Sequence, residues 1–132
     1  MDKNELLLSF WNDVASQNEE GLKAYFMPDA YIQWINTNER FTVDEYIVAN
    51  CEYPGDWCGE VERIEMLGEL AITVTRVWRS DYSVHVTSFF EFKDDKILVL
   101  NEYWGDDGIA PQWRIDKCIG RPIQYIQSEE IS

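Results

Sequence analysis

Basic residues are scarce in this chain. Eleven Lys and Arg stand against 25 Asp and Glu, for a formal net charge of −14 at pH 7. Binding a phosphate backbone needs clustered cations, and these are scattered, so no nucleic-acid partner is expected. An anionic membrane surface is excluded on the same electrostatic ground. Long apolar runs are missing too. Leu6 to Leu8 is too short for a signal-peptide core or a membrane span, and Met1 to Glu5 is acidic and polar. The expected compartment is the cytoplasm. Histidine occurs once, at His85, and cysteine three times, at Cys51, Cys58 and Cys118. An odd number of thiols cannot pair completely within one chain. Cys51 and Cys58 are too far apart for a CxxC pair, and no neighbouring His or Cys completes a zinc site. A glycine-rich phosphate loop, a GxSxG elbow and an HExxH motif are absent. Asp106 and Asp107 lack the spacing of a calcium loop. No metal and no cofactor is expected.

Aromatic residues are abundant: six Trp, seven Tyr and six Phe among 132 residues. Each buries a large area, and Trp and Tyr carry a polar tip that needs a partner. Such an excess in a small chain points to a lined cavity, an apolar dimer face or a bulky core. The length fits a single α+β domain over residues 1–115, with a tail over 116–132 that is loosely held or wraps on the body.

Leu7, Phe10, Trp11 and Val14 recur at helical spacing, predicting a helix from about Asp2 to Gln17. Asn18 can cap a shorter helix carrying Leu22, Tyr25 and Phe26, which Pro28 and Asp29 should end. Ala30 to Ile35 reads as a strand and Asn36 to Arg40 as a loop. Thr42 and Glu45 form a capping box for a third helix that stops before Pro54-Gly55. Strands follow at about Cys58 to Met66, Leu70 to Arg79, Ser83 to Phe92 and Lys96 to Trp104, joined by short polar or Gly-containing turns. A Gly-Asp-Asp-Gly turn from Gly105 should stop the last. Phe89 and Phe90 are adjacent and Ile97 to Leu100 do not alternate, so both sheet faces should be covered. The helices can cover one; a second subunit is expected on the other.

This order resembles the nuclear transport factor 2-like superfamily, in its SnoaL-like group. The carrying segments are the helix with Phe10 and Trp11, Tyr25 to Trp34, His85 to Phe92, and Lys96 to Trp104. The resemblance covers about residues 5 to 115. It implies a cone-shaped, cystatin-like fold, with three N-terminal helices packed on a curved antiparallel sheet and a pocket at the wide end. It also implies homodimers through the convex sheet face. Family members include isomerases, cyclases, dehydratases, hydrolases and binding or scaffold proteins. Ketosteroid isomerase has a similar layout, but Trp34 stands where its general base would be. Phe10 or Trp11 stands at its oxyanion-hole Tyr, and Ser88 at its second donor. All three departures count against isomerase chemistry of that type.

Glu102 alternates with Leu100 and Trp104 on the last strand. A carboxylate walled by Trp has its ionised form disfavoured and could act as general acid or base. Arg76, on the face shared by Ile72, Val74 and Trp78, is a plausible partner, and such a pair either orients a ligand or satisfies the core. If Ser88 and Phe90 face the pocket, His85 faces the opposite, dimer side. Trp34, Trp57, Trp78, Trp104 and Trp113 could stack on a flat apolar ligand, with Asn36, Asn38 and Glu39 rimming the opening. The leading expectation is a protein that binds a small apolar or aromatic molecule at Trp34, Asn36, Trp57, Trp78, Ser88, Phe90, Trp104 and Trp113. One alternative is a cofactor-independent isomerase, dehydratase or related lyase using Glu102 with Arg76. Another is a dimeric protein-interaction module.

Overall fold

The computed structural model describes residues 2–123. The chain runs α1 (Lys3–Ser16), α2 (Glu19–Lys23), β1 (Phe26–Trp34), β2 (Glu39–Thr42), α3 (Val43–Cys51), β3 (Cys58–Leu67), β4 (Leu70–Arg79), β5 (Tyr82–Lys93), β6 (Lys96–Asp106) and α4 (Gln112–Asp116). Asp2 caps α1 through a reciprocal box with Glu5, and Thr42 does the same for α3 with Glu45. Asn18 caps α2 by accepting from the Gly21 N–H.

Six strands form one sheet in the order β2-β1-β6-β5-β4-β3. All neighbours are antiparallel except β1 and β6, which are parallel. Helices α1, α2 and α3 pack on one face. Leu7, Phe10, Trp11 and Val14 of α1 are buried there against Ala71, Val86, Phe90 and Leu100 of the sheet. Phe10 is the hub, meeting Trp11, Tyr25, Phe26 and Phe90 edge-on at 5.4–5.9 Å between ring centres. This is the α+β architecture expected, with a mostly antiparallel sheet.

Three local expectations are corrected. The second helix ends at Lys23, and Pro28 lies inside β1 instead of stopping a helix. Proline cannot donate to the ladder, and the β1–β6 register shifts between Phe26 and Tyr31, where it sits. The segment read as a loop after β1, Asn36 to Arg40, runs into β2, which pairs Tyr31 to Trp34 with Glu39 to Thr42. The last strand continues through Gly105 to Asp106.

In β4 and β5 burial alternates strictly although polarity does not. Ala71, Thr73, Thr75 and Val77 point inward, so Ile72, Val74, Arg76 and Trp78 point outward. The tail expected over 116–132 is described only to Ile123; the rest lies outside the described residues. Among the described residues, no helix is long and apolar enough to cross a membrane.

Candidate ligand-binding site

The register lays a polar row across the inner face of the sheet. Thr73 is opposite Ser88, Ser88 is opposite Glu102, and Glu102 is beside Trp34. Ser88 Oγ donates to Glu102 Oε2 at 2.8 Å, and Trp34 Nε1 donates to Glu102 Oε1 at 3.0 Å. Each carboxylate oxygen therefore has one donor. Thr73 Oγ1 accepts from Trp11 Nε1 at 3.1 Å. Thr73, Ser88 and Glu102 are fully buried. Burial disfavours the Glu102 carboxylate and raises its pKa from 4.5 to about 7, against the opposing pull of the Ser88 and Trp34 hydrogen bonds. Tyr46, also buried, is held well above its ordinary value by burial and then by Glu102.

A cavity of about 340 Å³ opens at this end of the sheet. Trp34 and Trp104 wall it from β1 and β6, Tyr53 and Trp57 from the segment between α3 and β3, and Tyr82 from the start of β5. Val14, Val77 and Val84 supply aliphatic surface. The rings brace one another: Tyr53 stacks on Trp57 at 5.4 Å, Trp57 meets Tyr82 edge-on at 6.0 Å, and Trp34 meets Trp104 at 6.1 Å. The polar lining is Gln17, Asn36, Thr37, Glu39, Asn50 and Asp106. Asn36 is fixed by accepting from the Trp104 backbone N–H at 2.7 Å. Few precisely placed polar groups in an apolar wall are what a small-molecule site needs.

The structure brings Trp34, Asn36, Trp57 and Trp104 together around the cavity. Glu39 joins them, although as part of β2. Ser88 and Phe90 face inward but are fully buried, beneath the cavity lining. Glu102 likewise does not line the cavity; it is bonded to Trp34, which does. The expected Glu102–Arg76 pair does not form. Glu102 points inward and Arg76 outward, and the Arg76 guanidinium lies 4.3 Å from the centre of the Trp78 ring. Trp78 is therefore an outer-face residue and not a cavity wall. Trp113 sits on α4, 58% exposed and away from the cavity.

Gln17, Asn50, Tyr53 and Tyr82 were not singled out from sequence, and Asp106 was weighed only as a calcium ligand. The available signal was positional: each lies at or just past the end of a helix or strand, where the chain must rim any opening. His85 faces outward, as alternation predicts. Its Nδ1 meets Asp107 at 2.5 Å and its Nε2 meets Glu62 at 3.2 Å. Glu62 lies where the β3–β4 register shifts between Val61 and Arg63. The hydrogen bond to Asp107, then that to Glu62, raises the His85 pKa against the effect of burial. Among the described residues, no group of three or more His, Cys, Asp or Glu is arranged to hold a metal ion.

No family model and no curated protein matches the chain. Solved structures do. A candidate ketosteroid isomerase from Kribbella flavida superposes with a TM-score of 0.77 at 23% identity, over 91% of this chain and 89% of its own. An NTF-2 like protein of unknown function from Burkholderia xenovorans gives 0.75 at 23%, over 90% and 94%. A candidate SnoaL-like polyketide cyclase from Jannaschia sp. gives 0.67 at 12%, over 76% and 83%. Likeness at these identities speaks for architecture, and the chain has the nuclear transport factor 2-like fold that its segments resemble.

Proposed function

We propose that the protein binds a small apolar or aromatic molecule in the cavity walled by Trp34, Tyr53, Trp57, Tyr82 and Trp104. The observation that supports this is the cavity itself, about 340 Å³ with aromatic walls and a sparse polar lining. Solved proteins of the same fold include ones described as a candidate ketosteroid isomerase and a candidate SnoaL-like polyketide cyclase. Native mass spectrometry of the gently purified chain tests the proposal. A defined adduct on the parent that is lost in Ala49→Trp, where the new ring fills the cavity, is the expected result. An adduct equally present in both, or no binding by the parent across a metabolite library, overturns it.

A second reading, a cofactor-independent isomerase, dehydratase or related lyase, is favoured by the full burial of Glu102, which pushes its pKa up to about 7. Its obstacle is that Trp34 stands between this carboxyl and the cavity, so catalysis needs the indole to move. Turnover that survives Glu102→Gln would sink it.

We also propose a homodimer through the outward sheet face. Ile72, Val74 and Phe89 are only half-buried there and Tyr103 is 47% exposed, so a second copy of the same face would cover them. A cytoplasmic setting suits the exposed, unpaired thiols of Cys58 and Cys118, which an oxidising compartment would put at risk.

A further inference from the structure

The amides that line the cavity have their polarity fixed by the backbone. Gln17 Nε2 donates to two carbonyls, Asn50 O at 2.9 Å and Tyr53 O at 2.6 Å. Carbonyls only accept, so the amide nitrogen must face them and Oε1 is left over. Asn50 Nδ2 donates to Val14 O at 3.2 Å, which leaves its Oδ1. Tyr82 gives its hydroxyl proton to Asp106 Oδ1 at 2.6 Å, leaving Asp106 Oδ2. Glu39 takes one hydroxyl proton, from Thr37 at 2.6 Å. Asn36 is the exception, since its Oδ1 is used by Trp104 and its Nδ2 is the group left over. Among the described residues, the cavity lining thus offers acceptors from four side chains, against an amide donor from Asn36 and the buried, unpartnered indole N–H of Trp104.

Charge points the same way. Among the described residues, Glu39 and Asp106 are the only charged ones in the lining, and both are acidic. Arg79 lies over the Trp57 and Tyr82 rings but does not line the cavity; its Nη1 is committed to Pro54 O at 3.0 Å. The walls are aromatic rings, whose faces attract cations. A carboxylate or phosphate ligand would find two donors, Asn36 and Trp104, against the acceptors of four side chains and two like charges, too little to replace its hydration.

Resting on the small-molecule reading above, we infer that the ligand is a protonated amine carried on a flat or aromatic ring system. The ring fills the apolar wall and the ammonium N–H groups meet the acceptors of Gln17, Asn50, Glu39 and Asp106.

Three probes of one shape test this by calorimetry at pH 7: tryptamine, the neutral 3-propylindole and the anionic indole-3-propionate. Tryptamine should bind about tenfold tighter than 3-propylindole, with the acid weaker still. The combined variant Glu39→Gln, Asp106→Asn should remove most of that preference while retaining 3-propylindole; Asn keeps an acceptor for Tyr82. Equal or tighter binding of the neutral or acidic probe overturns the inference and leaves the pocket reading standing. A tryptamine preference undiminished in the variant overturns it too, because the charge is then read elsewhere. No binding of any probe at millimolar concentration removes both.

Discussion

Glu102 and Trp34 sit side by side across the parallel β1–β6 pair, and the indole N–H of Trp34 holds one oxygen of the buried carboxyl at 3.0 Å. A wall of the cavity is thereby tied to a group that titrates near neutrality. The proton state of Glu102 and the seating of the Trp34 ring are one problem, although Glu102 itself does not line the cavity.

The first consequence is a pH dependence of stability. The folded-state pKa of Glu102 is about 7 against an ordinary 4.5. Between those values the folded chain keeps a proton that the unfolded chain has released. Stability therefore falls as pH rises through this window and levels off above it. At about 1.4 kcal/mol per pH unit the loss is on the order of 3 kcal/mol. Glu102→Gln has no proton to lose, and its amide still offers one acceptor to Trp34 and a donor to the Ser88 hydroxyl. Urea unfolding at pH 4.5, 6 and 8 should show the parent losing that amount relative to the variant. Parallel curves would refute the assignment.

Arg76 and Ser88 should separate cleanly in their effect on Glu102. Ser88→Ala removes a donor from a buried carboxylate, so the Glu102 pKa rises further and the fold loses about 1–3 kcal/mol. Arg76→Ala acts on the other face and leaves the Glu102 titration where it was. Carboxyl-carbon NMR reads both. A Glu102 shift in Arg76→Ala would restore the ion pair that the sheet geometry rules out.

His85 carries the second titration. Its pKa is raised above 6.5 by Asp107 and then Glu62, with Arg76 beside it in register on β4. The charged clamp contributes below the ordinary pKa, and the contribution fades as pH rises through the raised value. The site is partly exposed, so the amount stays under about 1 kcal/mol. Ring-proton NMR should give a His85 pKa above 6.5 that drops toward it in Asp107→Asn. A midpoint at or below 6.5 in the parent would mean that the clamp does not hold in solution.

How far the sequence carried follows from these residues. The Thr42–Glu45 cap and the β3 to β6 hairpins were legible because each rests on contacts a few residues apart. β2 was not, since Glu39 to Thr42 is four residues long, mostly exposed, and becomes a strand only by pairing with β1. Pro28 misled because its effect depends on whether a ladder bond is needed there. Arg76 was wrongly joined to Glu102 because facing is set by register, and a slip of one residue sends every side chain to the other face. Glu102 shares its row with Thr73 and Ser88, whereas Arg76 shares one with His85 and Gly105. With several strands apolar on both faces, polarity alone could not choose. The acceptors in the cavity were hidden for another reason: which end of Gln17 or Asn50 is free depends on distant carbonyls.

Two hairpin turns give a last test, of opposite sign. Asp94 and Asp95, between β5 and β6, both adopt left-handed backbone, with φ of 53° and 65°. Such a pair marks a two-residue turn that favours glycine at its second position. Between β3 and β4 the left-handed place is already held by Gly68, at φ 62°. A Cβ built on Gly68 meets nothing within 4 Å, so Gly68→Ala acts through backbone strain alone. It should cost about 1 kcal/mol. Asp95→Gly relieves a milder strain, because Asp tolerates this conformation better than Ala, and should gain about 0.5 kcal/mol after the extra freedom of the unfolded chain is counted. Urea midpoints should move in opposite directions for the two variants. Movement in the same direction would mean that the two turns are not held by the same backbone preference.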